Sequence, residues 1–342
     1  MTSNVDEVGL PPSDRDPLGS GNAGRLQLLP AEEELAALRA AAHAEIAKVV
    51  IGHDKAVEAT LIAALAGGHV LLEGPPGTAK TLLAAAMARV LGVPFKRVQF
   101  TPDTTPTEIV GRTIRVGGEP RFEPGIVFTN VLLADEINRT PPRTQAALLE
   151  AMQEGHVTVD GNVHWLTPPF IVIATQNPFE HEGIYALRES RLDRFFVKVL
   201  LEYGPEEDEL KMLAIPHRGL ASDMLGDVRS LISEGRFLVL QETVDETFVP
   251  QSVARFLINV VRKTRGLPGV LLGASPRSAI HLLAAAKAKA RLSGRDLVIV
   301  DDVVAMAPLV LPHRIIGDAA DAADIVREAV EAALPAPVVD SR

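Results

Sequence analysis

Residues 71–81 read LLEGPPGTAKT: an apolar run, a stiff glycine-containing turn, then Lys-Thr. Gly74, Lys80 and Thr81 match the G-x-x-x-x-G-K-[ST] pattern of a phosphate-binding loop, but Ala79 stands where that pattern has its second glycine. A phosphate cradle needs a strand ending in a sharp turn, so that backbone N–H groups and a helix N-terminus face the anion. Gly74 and Gly77 supply permissive backbone, Pro75 and Pro76 stiffen the loop, and Thr78 and Ala79 lead into the helix TLLAAAMARVL. In that geometry Lys80 reaches the β- and γ-phosphates and Thr81 ligates Mg²⁺. Ala79 is expected where loop becomes helix, with helical dihedrals that alanine tolerates. The competing interpretation is a strand-turn-helix with an incidental lysine.

About fifty residues downstream, VLLADEINR (131–139) is an apolar strand ending in two acids. Such a strand puts Asp135 and Glu136 at the carboxyl edge of a sheet, where open α/β folds bind ligands. There Asp135 can hold Mg²⁺ and Glu136 can polarise an attacking water. An isolated Asp-Glu pair is more often a solvated turn, and the preceding loop is what gives this one weight. IVIATQNP (171–178) delivers Asn177 just past another buried strand; a fixed amide there can orient water, although Asn-Pro alone usually only starts a turn.

The rest of the chain fits around these segments. Residues 1–30 are rich in Pro, Gly, Ser and Asp and are expected to form a flexible tail. From Ala31, Leu35, Leu38, Ala42 and Ile46 recur at helical spacing, and a second helix is predicted over Asp54–Leu65. Strands are expected at 69–73, 95–100, 131–135, 170–175 and 196–202, with a helix at 144–154, which predicts a three-layer αβα fold with a parallel sheet. Gly117-Gly118 and Asp160-Gly161 mark two hairpin insertions. Beyond Gly204 helical patterns cover 205–217, 222–235, 250–265, 276–292 and 318–333, so a core over 31–204 is expected to precede a helical domain over 205–342.

Composition sets limits. The net charge of −10 argues against broad binding to phosphate backbones, so nucleic acid is not an expected partner. There are no cysteines for disulfides or thiolate metal sites. No basic-then-apolar leader or uninterrupted apolar stretch of ~18 residues occurs, so a cytoplasmic protein with no membrane span is expected.

Taken in order, IGHDKAV, GGHVLLEGPPGTAKT, RVQFTPDTTPTEIVG, FTNVLLADEINRTPPRTQAALLEAMQEGHVTVDG, PFIVIATQNPFEHEG and LDRFF resemble the MoxR family of AAA+ ATPases. MoxR proteins are similar even in having alanine before the loop lysine. The resemblance implies an αβα core with a helical lid, assembled as a ring that is usually hexameric. It implies ATP and Mg²⁺ at Lys80 and Thr81 (Walker A) and Asp135 and Glu136 (Walker B), with Ile51 and Gly52 beside the nucleotide and Asn177 as sensor 1. Arg194 resembles the finger that reaches a neighbour's γ-phosphate, and Arg277 the sensor 2 arginine that opens a lid helix. The hairpins resemble insertions lining the central face of such rings. Chaperone-like work on a client is implied, often in metalloenzyme assembly, with a partner carrying a von Willebrand factor A domain.

GIYALRESR (183–191) departs from the family's G-T-Y-P-L-P-E-A-Q, so Arg188 rivals Arg194 as the finger. An intrachain salt bridge with Asp193 or Glu189 is the structural alternative for Arg194, and an intrachain salt bridge is likewise the alternative for Arg277. His53 stands where the family commonly has Gln; it is expected at the surface, with a place beside the adenine as the alternative, and Trp165 is expected to pack. Other functions remain open on the residues: the ATPase subunit of a magnesium or cobalt chelatase, a nucleic-acid motor, or a non-catalytic nucleotide-dependent scaffold.

Overall fold

The structure is a computed structural model and describes residues 29–178, 185–214, 225–317 and 321–334. The tail expected over 1–30 lies, but for its last two residues, outside that set. Helices α1 (Ala31–Ile46) and α2 (Asp54–Leu65) precede β1 (Val70–Glu73), the phosphate loop, α3 (Lys80–Leu91) and β2 (Phe95–Gln99). A short α4 (Pro106–Val110) leads into the hairpin β3 (Gly111–Val116) and β4 (Glu119–Pro124). Then come β5 (Val131–Asp135), α5 (Pro142–Glu154), the hairpin β6 (His156–Val159) and β7 (Asn162–Trp165), β8 (Ile171–Gln176), α6 (Glu189–Leu192) and β9 (Val197–Leu200).

Five strands pair in parallel in the order β2-β5-β8-β1-β9. Because strand side chains alternate between faces, this sheet feeds two separate apolar cores. Val70, Leu72, Leu133 and Ile173 pack with α1, α2, α3 and the helices beyond residue 225. Leu71, Leu132, Ala134 and Val172 pack with α5 and the first strand of the second hairpin. Burial on both faces explains why β5 and β8 read as unbroken apolar runs.

After β9 come α7 (Glu206–Ala214), α8 (Glu234–Asp245), α9 (Gln251–Lys263), β10 (Val270–Leu272), α10 (Pro276–Leu292), α11 (Val300–Val310), β11 (Ile316–Gly317) and α12 (Ala322–Ala333). Three features differ from expectation. The helix expected over 222–235 is instead a 3₁₀ turn at Leu225–Asp227 and a helix beginning at Glu234, residues 222–224 lying outside the described set. Helix α11 falls where no helical pattern is predicted; its β-branched residues and Pro308 disfavour a helix, and packing of Val303, Met306 and Val310 overrides that propensity. Strands β10 and β11 pair antiparallel within the otherwise helical region. Buried Glu34 pairs with Arg236 Nε at 2.6 Å, and Lys289 meets Glu58 at 2.7 Å, fastening α8 and α10 to α1 and α2.

Both hairpin turns use left-handed backbone, Gly117 and Gly118 at φ 62° and 92°, Asp160 and Gly161 at φ 50° and 79°, which two-residue turns require. Phe122 and His164 stack at 3.6 Å and join the two hairpins. Trp165, expected to pack, is 72% exposed and touches only the edge of this pair of hairpins through His156. Among the described residues no helix is long and apolar enough to cross a membrane.

Candidate active site

The phosphate loop leaves β1 at Gly74, where a Cβ would lie 2.3 Å from the Leu201 carbonyl oxygen, so only glycine fits. Ala79 does not have the expected right-handed dihedrals. It sits at φ 56°, ψ 20°, in the left-handed region, and its carbonyl accepts the first bond of α3 from Leu83. The glycine of the usual pattern would be relaxed there, while alanine costs about 1–2 kcal/mol. Lys80 curls into the loop, its Nζ donating to the Gly74 and Pro75 carbonyls at 2.9 and 2.7 Å and to Thr78 Oγ1 at 3.3 Å. The Thr78 hydroxyl donates to Pro75 O at 2.8 Å and braces the turn.

The acids stand beside this loop because β8 alone separates β5 from β1. Asp135 is buried at the end of β5. Its Oδ1 accepts from Thr175 Oγ1 at 2.6 Å, and the Thr175 hydroxyl oxygen accepts from Glu136 N at 2.9 Å. Its Oδ2 meets Thr81 Oγ1 at 3.3 Å and Arg97 Nη2 at 2.8 Å. Hydroxyl and carboxylate oxygens so placed, next to a phosphate-type loop, suit Mg²⁺, which takes one or two protein oxygens plus substrate phosphates. Glu136 adopts left-handed φ of 59°, and its carboxylate accepts from Gln99 Nε2 at 3.1 Å and pairs with Arg139 Nε at 3.2 Å. Asn177 follows the end of β8, between loop and acids, and its carbonyl lies 3.5 Å from Asn138 Nδ2.

On the other side of the loop is a cavity of about 300 Å³ lined by Ile51, His53, Gly77, Thr78, Tyr203 and Met212, at the lower end of ligand-pocket sizes. Gly52, at φ 79°, lets the backbone pass Asp208, whose Oδ2 would lie 2.8 Å from an added Cβ. His53 is half-buried in the pocket wall, the nucleotide-side alternative of the two placements; burial, and then the nearby Lys80 charge, lower its pKa.

The two candidate arginines are elsewhere. Arg194 and Arg277 line a second cavity, of about 320 Å³, with Gly68, His69, Phe196 and Ile280. Gly68 and His69 precede β1 and Phe196 precedes β9, so this is the amino edge of the sheet. The phosphate loop follows β1, and its four residues put roughly 13 Å of strand between the two places. Asp193 does not hold Arg194. It faces Arg277 at 3.7 Å and the buried Arg314 at 3.6 Å. Among the described residues the Arg194 side chain has neither a hydrogen bond nor an ion pair. Its rival Arg188 is exposed, and the neighbouring Arg191 donates to Gln145 Oε1 at 2.6 Å.

Arg314 latches the turn that carries Arg194 to the helical region. It donates to the Phe195 and Phe196 carbonyls at 2.6 and 3.3 Å and contacts His281 Nδ1 at 2.5 Å. Burial brings its pKa down to about 10, which leaves it charged at neutral pH. Burial, then the Arg314 charge, hold His281 and His313 down near about 3, and burial holds His69 near about 4. His69 is structural, its two ring nitrogens 3.0 Å from Met152 O and from Val172 N. Sequence inspection missed Arg97, Gln99, Thr175 and Arg314, and paired Asp193 with Arg194 in place of Arg277 and Arg314, because each is defined by a contact between segments distant in the chain.

Residues 69–197 match the model of the ATPase family associated with various cellular activities (AAA), and residues 262–333 match that of an AAA lid domain. The chain is 44% identical to the uncharacterized protein YeaC of Bacillus subtilis, over 83% of this chain and 88% of that one. It is 43% identical to chaperone MoxR1 of Mycobacterium tuberculosis, over 80% and 74%. A provisionally named ATPase from Cytophaga hutchinsonii, solved by crystallography, superposes with a TM-score of 0.80 at 33% identity, over 92% and 98% of the two chains. With a P-loop core, a parallel sheet, a helical lid and these relatives, the chain belongs to the MoxR family of AAA+ ATPases.

Proposed function

We propose that the protein binds ATP with Mg²⁺ at the carboxyl edge of the sheet and hydrolyses it in a ring, where Arg194 of the next protomer completes the pocket. Turnover then drives chaperone-like remodelling of a client protein. The observation that carries this is the separation of the parts. Lys80, Thr81, Asp135 and Glu136 converge at one edge, while Arg194 lies at the other, with no partner among the described residues and out of reach of its own loop.

Each residue has a task that its contacts define. Lys80 exchanges the loop carbonyls for phosphate oxygens. Thr81 and Asp135 hold the metal, with Thr175 and Arg97 fixing the carboxylate. Mg²⁺ held there would supply positive charge that neutralises what develops on the transferring phosphoryl oxygens. Glu136, on leaving Gln99 and Arg139, accepts the proton of the water that attacks the γ-phosphorus, and the bond to the ADP oxygen breaks. Asn177 orients that water. Arginines from the neighbour stabilise the charge spread over the equatorial oxygens, Arg194 foremost, with Arg277 and the rival Arg188 on the same flank.

The chaperone-like half rests on the likeness to MoxR1 and on the paired hairpins, whose exposed Trp165 and Val163 suit contact with a client across the ring's central face. A von Willebrand factor A domain protein and metalloenzyme clients are proposed on the same likeness, as is a hexamer. The test uses Lys80→Ala and Glu136→Gln. Calorimetry should show nucleotide binding abolished in the first and retained in the second, with turnover lost from both; wild-type turnover in Glu136→Gln would contradict the assignment.

A further inference from the structure

One edge of helix α7 faces the Gly52 loop, but its Leu210 and Leu213 side chains are exposed, as is the apolar groove between α9 and α10, and the chemistry of the two surfaces is complementary. Among the described residues α7, EEDELKMLA, has none that is buried. Leu210 and Leu213 are 58% and 75% exposed; three apart on a helix, they form one apolar knob. Glu206, Glu207 and Glu209 surround it, and the helix's sole lysine is held by Asp208 at 2.7 Å. On α9 and α10, Leu257, Ile258, Val261, Ile280 and Leu283 line a cavity of about 480 Å³ whose rim carries Arg262 and Arg265. Ile258 and Ile280, 45% and 68% exposed, are bare apolar surface.

We infer that α7 of one protomer docks in the α9–α10 groove of the next, Leu210 and Leu213 entering the apolar floor and the glutamates meeting Arg262 and Arg265. Continuity with the two half-sites selects a second copy of this chain as the occupant. Met212 and Leu213 line the nucleotide cavity, so α7 flanks the phosphate half. Ile280 lines both the groove and the cavity of Arg194 and Arg277, so the groove flanks the arginine half. The inference rests on the shared-site reading proposed above: bringing one copy's arginines to another's phosphate loop brings this groove toward this helix. Two different surfaces meeting head to tail generate a ring when the rotation closes. The acidic helix also explains how an acidic protein can associate with itself, since its negative charge is matched locally.

The chain has no cysteine, so single thiols report proximity cleanly. Leu213→Cys and Ile258→Cys variants, each also carrying Glu136→Gln to retain ATP, are mixed with Mg-ATP and a short bismaleimide. A crosslinked dimer in the mixture, absent from either variant alone, is expected. A single chain carrying both cysteines should give a ladder. Pairing Leu213→Cys with Val116→Cys on a hairpin tip should give none. In parallel, Arg262→Glu should weaken assembly at least ~10-fold by sedimentation, and Glu206→Lys with Glu207→Lys should restore it. Nucleotide binding by the monomers, measured by calorimetry, should not change, which separates lost docking from misfolding. No crosslink in the first mixture, or equal crosslinking with the hairpin control, overturns the docking. If that happens while mixed Lys80→Ala and Arg194→Ala proteins still recover turnover, the shared site stands and only the docking falls; full turnover in both Arg194→Ala and Arg188→Ala removes the shared site instead.

Discussion

At the carboxyl edge of the sheet, loop and strand ends from three neighbouring strands put Lys80, Thr81, Asp135, Glu136 and Asn177 together. At the amino edge, Arg194 and Arg277 share a cavity built from a short turn after α6, the start of β1 and the first turn of α10. The first edge is assembled by local motifs, each a strand followed by its functional residue. The second is assembled by docking of the helical region on the sheet, through Arg314 and Asp193. The first is complete in its protein contacts, whereas the second presents cations outward. On the function proposed above, one edge binds nucleotide and the other activates a neighbour's, so turnover would depend on assembly.

The comparison can be broken at either edge. Arg194→Ala is expected to lower turnover by ~10³–10⁵ with nucleotide affinity nearly unchanged, as read by coupled ATPase assay and calorimetry. Arg188→Ala should move the same assay far less, and the reverse ranking would reassign the finger. Glu136→Gln should cost ~10²–10⁴ in turnover with no effect on assembly.

The latch predicts stability effects. Arg314→Met removes the bonds to the Phe195 and Phe196 carbonyls and one of the two arginines facing Asp193, and should destabilise the fold by about 1–3 kcal/mol by urea denaturation. Arg277→Met should cost much less, because its ion pair with Asp193 is half exposed. The histidines next to the latch give a pH dependence. His69, His281 and His313 titrate in the folded protein at about 4, about 3 and about 3, below the ~6.5 of an unfolded chain. The unfolded chain therefore takes up protons first. Stability is complete above about pH 6.5 and declines as pH falls through that value toward 4, by up to about 1.4 kcal/mol per pH unit for each histidine. His69→Gln should flatten the slope of denaturation midpoint against pH.

Much of the carboxyl edge was legible because each motif is contiguous. LLEGPPGTAKT, VLLADEINR and IVIATQNP each hold the strand and the residue that it delivers. What could not be read there was conformation: Ala79 was assigned helical dihedrals, and the left-handed turn appears only once the loop closes on Lys80. At the amino edge the arginines were named from resemblance, but their separation from the phosphate loop, and the latch, depend on contacts over more than a hundred residues. Helix α8 carried a weak pattern that was overlooked, Phe237, Leu240 and Val244 at near-helical spacing. For α11 the signal was a cap, Asp302 accepting from Ile299 N at 2.9 Å, masked by Pro308.

The smallest expected effect concerns that loop. Ala79→Gly should relieve left-handed strain and raise stability by up to about 1 kcal/mol, part of the gain being offset by glycine's entropy. Retained ATPase activity with a higher melting temperature is the expected outcome; a loss of stability would show that Ala79 is unstrained.

The shared site is tested most directly by mixing Lys80→Ala with Arg194→Ala, each inactive alone. Where an intact arginine from the first variant meets an intact loop of the second, a whole site forms, so the mixture should recover a substantial fraction of wild-type turnover, rising with protein concentration. A mixture as inactive as its components, with assembly confirmed by sedimentation, would contradict an arginine supplied across the protomer boundary.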